Sequence, residues 1–105
     1  MRWLLPLALL PALAWADTPP DGKTIVLHGN ANGALPCAAC HGVDGMGKPA
    51  IGAPALAGLP APVIEADLAG LALGNSGGIM TGIAQALSPA EVKAVAAYFA
   101  SLPKP

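Results

Sequence analysis

Cys37-Ala38-Ala39-Cys40-His41 constrains this chain more than any other stretch. A C-x-x-C-H run is the attachment signature of c-type haem: two thiols add to the porphyrin vinyl groups, and the next side chain offers an imidazole to the iron. Two anchors within one turn of chain leave His41 no distant place to go and force it under the ring it must ligate. The other readings of the pair each lack something. A thioredoxin-like motif needs a strand–helix setting, and the residues around Cys37 show no run of β-branched or aromatic side chains. A structural zinc site needs two further ligands at suitable spacing, and outside the motif only His28 and carboxylates are at hand. A disulfide across two intervening residues closes a tiny loop and constrains little. One covalently attached haem c is the reading that uses all three side chains.

The amino terminus suits that chemistry. Met1-Arg2 is followed by an apolar stretch from Trp3 to Leu13, then by Ala14-Trp15-Ala16 and Asp17. A basic start, a short apolar middle and small residues around a cleavage point describe a secretory signal peptide, so residues 1–16 are expected to be removed and residues 17–105 to form one domain. The stretch is too short, and too broken by Pro6 and Pro11, for a bilayer-spanning helix of ~20 residues. No later stretch is long enough either, and no cysteine stands at the cleavage point to carry a lipid. The expected product is exported and periplasmic, with no membrane span; c-type haem is characteristically attached on that side of the bacterial inner membrane.

Removing the leader takes both tryptophans with it and leaves Tyr98 and Phe99 as the large aromatics. A small domain rich in Ala, Gly and Pro is short of core volume and needs a staple. With both cysteines committed to haem, the porphyrin itself is expected to serve as the core, and the apoprotein to fold poorly. The remaining charges are Lys23, Lys48, Lys93 and Lys104 against Asp17, Asp21, Asp44, Glu65, Asp67 and Glu91. So few and scattered basic residues speak against nucleic acid or an anionic membrane surface as partner.

Helical signals run along the chain. Asp21 is a candidate cap for a short helix from Gly22 to about His28, ended by the Gly/Asn-rich turn from Gly29 to Pro36. The Cys37–His41 motif follows on a short helix. From Gly42 to Pro62 the chain is dense in Gly and Pro and reads as an irregular loop able to wrap closely round a flat ligand. A further helix is expected over Val63–Leu73, with Ile64, Leu68 and Leu71 on one face. A short apolar segment then carries Met80, Ile83 and Leu87. Ser88, Pro89 and Glu91 form a capping box for a last helix bearing Val92, Val95, Ala96, Phe99 and Leu102, closed by Pro103. Nothing alternates as strands do, so the fold class is all-α with long loops.

These pieces, in this order, resemble a class I cytochrome c, similar to the small bacterial periplasmic members and to single halves of the dihaem c4 type. The resemblance covers nearly all of residues 17–105. It rests on Cys37-Ala38-Ala39-Cys40-His41-Gly42, Asp44-Gly45-x-Gly47, Pro54-x-Leu56-x-Gly58, Met80, and Leu87-Ser88 leading to Ala97-Tyr98-Phe99. It implies three to five short helices around one haem. His41 resembles the proximal ligand and Met80 the distal one. The Pro54 carbonyl would accept from the other ring nitrogen of His41, and Leu56 would line the haem pocket. Gly22 resembles the small residue where the first helix crosses the last, beside Tyr98. Met46 and His28 are the rival sixth ligands: Met46 sits close to His41 in a turn-like setting, and His28 on a short helix. Two departures stand out. Arg2 is the only arginine and no tryptophan survives the leader, so neutral donors such as Asn75, Ser76 and backbone amides would have to serve the haem propionates. The segment Pro60–Ile64 also lacks an aromatic often found there in the c4-like pattern.

His/Met ligation leaves no open site for substrate and raises the potential relative to bis-His ligation. The resemblance therefore implies a periplasmic electron carrier rather than an enzyme, with periplasmic or membrane-bound redox proteins as donor and acceptor. The alternatives are a dedicated haem subunit of a periplasmic dehydrogenase and a haem enzyme or gas sensor with a displaceable sixth ligand.

Overall fold

The computed structural model describes residues 19–75 and 78–105. The leader expected over residues 1–16 lies outside them. Within the described residues the chain forms five α-helices: α1 (Gly22–His28), α2 (Ala38–His41), α3 (Ala61–Ala72), α4 (Ile79–Gln85) and α5 (Pro89–Ala100), with a 3-10 turn over Pro49–Ile51. The fold is all-α. The β-type pairing described is an isolated antiparallel bridge between Lys48 and Ala53. No helix among the described residues is long and apolar enough to cross a membrane.

Local chemistry sets the helix ends. Asp21 caps α1 by accepting from the Lys23 amide at 3.2 Å and from the Thr24 hydroxyl at 2.7 Å. At α5 the capping box is closed both ways: Ser88 Oγ accepts from the Glu91 amide at 3.1 Å, and Glu91 Oε1 accepts from the Ser88 amide at 2.9 Å. α3 starts at Ala61, two residues before the Val63 expected from sequence. Pro62 falls in its first turn, where the missing N–H has no helical partner to lose and the fixed φ favours entry. The apolar segment around Met80 is itself helical, and Leu102 lies past the end of α5, half-buried against the core.

α1 and α3 pack on α5, α4 packs on α3, and the core is built from Ile25, Val26, Ile64, Leu68, Ile83, Leu87, Val95 and Phe99. Val26, Val95 and Phe99 are the largest side chains wholly removed from solvent. The α1–α5 crossing is a backbone contact: a Cβ placed on Gly22 would run into the Ala94 carbonyl and lie 3.2 Å from Tyr98 Cβ. Tyr98 and Phe99 meet edge to face there, with ring centroids 5.9 Å apart.

Asn30 joins the loop before the motif to the far side of this core. Its Nδ2 donates to the Ala86 carbonyl at 2.8 Å and to Glu91 Oε1 at 3.0 Å, while Oδ1 accepts from the amides of Asn32 and Ala34. Both donors and both acceptor positions are filled. Sequence reasoning placed Asn30 only in a turn, because its partners lie 56 and 61 residues away. Asn30→Ala removes all four bonds and orphans the Ala34 amide; holoprotein stability is expected to fall by about 2–4 kcal/mol. Denaturant titration would read this as a lower midpoint at unchanged slope.

Candidate haem-attachment site

The motif is held by main-chain hydrogen bonds. Cys37 opens α2, and its carbonyl accepts from the His41 amide at 2.9 Å. The chain reverses at Gly42, whose φ of 86° suits glycine, and Gly47 returns its amide to the His41 carbonyl at 2.8 Å. Lys48 and Ala53 exchange both of their backbone hydrogen bonds, at 2.8 and 3.2 Å, across the Pro49–Ile51 turn. This delivers Pro54, whose carbonyl stands 2.8 Å from His41 Nδ1. Residues 41–54 thus form a clasp that starts and ends on one histidine. Lys48 Nζ adds a bond to the Ala39 carbonyl, between the two cysteines, at 3.2 Å.

His41 is buried, 6 % exposed. The carbonyl of Pro54 takes Nδ1 in the protonated form, leaving a lone pair on Nε2, which has no hydrogen-bond partner among the described residues. Cys37 and Cys40 are both free thiols, Cys37 half-buried and Cys40 exposed. Burial pushes the Cys37 thiol up from its ordinary range, offset in part by a backbone hydrogen bond. Two free thiols a turn apart beside an oriented imidazole form a donor set that fits c-type haem. No group of three or more His, Cys, Asp or Glu side chains among the described residues gathers as a metal site.

The remaining candidates occupy different settings. Leu56 is half-buried against the core, and its amide donates to the Gly45 carbonyl at 2.7 Å. Met80 lies in the first turn of α4, half-buried, and packs on the core cluster. Met46 sits on the surface of the clasp and is 36 % exposed. His28 is exposed at the end of α1. Asn75 is exposed just after α3, with its amide returned to the Gly70 carbonyl, and Ser76 lies outside the described residues. Thr81, which the sequence did not single out, carries a buried hydroxyl oxygen without a hydrogen-bond partner beside Met80. Nothing in the spacing of residues flags such an atom; only packing does.

A family model for cytochrome c matches residues 21–103. The chain is 39 % identical over 109 residues to the thiosulfate dehydrogenase electron acceptor of Thiomonas intermedia (strain K12), covering 97 % of this chain and 45 % of that protein. The structure of thiosulfate dehydrogenase (TsdBA) from Marichromatium purpuratum contains a similar fold, with a TM-score of 0.74, 36 % identity, and coverage of 78 % of this chain and 18 % of that one. Reduced recombinant cytochrome c4 from Pseudomonas stutzeri superposes with a TM-score of 0.73 at 30 % identity, over 89 % of this chain and 50 % of that one. The chain spans about half the length of the curated relatives it matches.

Proposed function

Because this chain belongs to the cytochrome c family, we propose that it is an exported one-electron carrier of the periplasm, not itself an enzyme, which accepts electrons from a dehydrogenase of the thiosulfate-oxidising class. Haem c, when bound, supplies a single iron-centred redox couple. Cys37 and Cys40 would hold it through thioether bonds, and His41 Nε2 and Met80 Sδ would be its iron ligands. The observation that carries this reading is the buried His41 ring, fixed through Nδ1 on the Pro54 carbonyl with Nε2 left unpaired beside two free thiols. The exposure of Met46 and His28 and the packing of Met80 support the choice of Met80.

With His41 and Met80 both bound to the iron, no position would remain for substrate, which favours outer-sphere transfer over catalysis. The dehydrogenase partner is suggested by the names of the relatives, which are electron acceptors of thiosulfate dehydrogenase. Leu35, Ile51 and Ile79 are exposed apolar residues in segments that adjoin Cys37, the clasp turn and Met80, so contact with a donor is expected to be mainly apolar.

The test mixes the ferric holoprotein with a thiosulfate dehydrogenase and thiosulfate and follows reduction by stopped flow at several salt concentrations. The expected rate varies by less than about threefold over a range in which electrostatically steered pairs lose orders of magnitude. The reduced protein should also resist carbon monoxide. Absence of reduction overturns the assigned donor, a steep fall with salt overturns apolar docking, and rapid carbon monoxide binding overturns the carrier reading in favour of a sensor or enzyme.

A further inference from the structure

α2 is four residues long, and the carbonyls of so short a helix must find partners beyond it. Cys37 gives its carbonyl to the His41 amide, Ala38 to Gly42 and His41 to Gly47. The Ala39 carbonyl, between the two cysteines, takes no backbone amide; its partner is Lys48 Nζ at 3.2 Å. A lysine there satisfies an orphan carbonyl at the helix end with a charge-assisted bond. The same residue closes the clasp through its main chain, by both bonds with Ala53 and by accepting from the Ile51 amide at 3.1 Å. Lys48 therefore joins the attachment turn to the segment that carries Pro54 back to His41.

The other lysines are placed differently. Lys93 Nζ is 3.8 Å from Glu65 Oε1, Lys104 lies against Gly58, and Lys23 is on the first turn of α1. Asp44, the carboxylate of the clasp, turns its Oδ1 to the Met46 amide at 3.1 Å, and no carboxylate of the described residues forms an ion pair with Lys48. A haem tethered at Cys37 and Cys40 is anchored on either side of the carbonyl that Lys48 holds, so the attachment points alone bring this cation beside the cofactor. Oxidation of the iron adds one positive charge, which a fixed neighbouring cation opposes. We propose that Lys48 is a positioning residue for electron transfer: its bond to Ala39 sets the ammonium where it favours the reduced iron. This rests on the haem assignment above.

The experiment poises the holoprotein with a redox mediator at the wild-type midpoint and reads the ferrous-to-ferric ratio by absorption. Wild type is compared with Lys48→Arg, Lys48→Gln and Lys48→Met at low and high ionic strength. Lys48→Gln keeps an N–H donor without the charge, Lys48→Met keeps neither, and Lys48→Arg keeps both. At an ionic strength of about 10 mM the ratio should fall about two- to fourfold in the two neutral variants, the size expected of a solvent-exposed charge, and hold its wild-type value in Lys48→Arg. At about 0.5 M the screening distance is shorter by severalfold, and most of the gap should close. An unchanged ratio in Lys48→Gln overturns the proposal. So does an equal fall in Lys48→Arg, or a fall that persists at high salt, since the side chain would then act by fit and not by charge. Lys23→Gln removes a charge elsewhere; a fall as large as that of Lys48→Gln would also overturn the proposal, because net charge and not placement would be responsible. The intact mass of the wild type reports haem attachment separately, and a mass without haem would overturn the haem reading itself.

Discussion

Met80→Ala is expected to abolish the sulfur-to-iron charge-transfer band in the near-infrared spectrum of the ferric protein while haem stays covalently attached. The proposed attachment residues, Cys37 and Cys40, lie in and beside α2, and Met80 lies on α4, a separate element. The substitution therefore separates ligation from binding. With the thioether gone, the midpoint potential should drop by a sizeable part of the ~0.8 V range over which axial ligands set haem potentials. The reduced variant should bind carbon monoxide rapidly where wild type resists it. The rivals give different results. Retention of the band in Met80→Ala and its loss in Met46→Ala would assign the ligand to Met46. Absence of the band from wild type would move a nitrogen ligand such as His28 ahead of both. Loss of the Met80 side chain also removes packing from the core edge, so a moderate fall in stability should accompany the spectral change.

Gly22→Ala is expected to lower the thermal midpoint of the holoprotein by about 10–20 °C, a loss on the order of 3 kcal/mol in a domain of this size. The sign is the informative part. Gly22 is in α1 with no positive-φ requirement, and by helix propensity alone alanine there would be stabilising by about 1 kcal/mol. The crossing reverses this. The new methyl would collide with the Ala94 carbonyl, a backbone atom inside α5 that cannot step aside as a flexible side chain can. α1 must then lift from α5 and withdraw Ile25 and Val26 from their packing. A midpoint equal to wild type or higher would show that α1 and α5 do not approach at this point. Gly82→Ala is the matched control, since a Cβ there meets nothing within 4 Å.

Much of this architecture is legible in local chemistry. The Ser88-Pro89-x-Glu91 box and the Asp21 cap are complete within four residues, so the starts of α5 and α1 can be read without knowing what packs on them. Cys37, Cys40 and His41 are equally local, because thioether attachment itself demands their spacing. Reading falters where the determinant is distant. The start of α3 was expected late because Pro62 resembles a breaker until it is seen in the first turn. The helicity of the Met80 segment is hidden by its weak cap, Gly78, with a φ of 73° and no side-chain bond. Asn30 and Thr81 belong to the same class: one is defined by partners more than fifty residues away, the other by the lack of any.

The clasp of residues 41–54 has a consequence for divergence. Its closures are nearly all main-chain: Gly47 to His41, Lys48 to Ala53, and the carbonyl of Pro54 to the imidazole. The side chains of Val43, Met46 and Ile51 point no bond into it and are exposed. The outer surface of this loop can therefore vary without disturbing the imidazole it grips. An outward surface and the hold on the imidazole sit on the same short stretch of chain, yet changes to one need not reach the other.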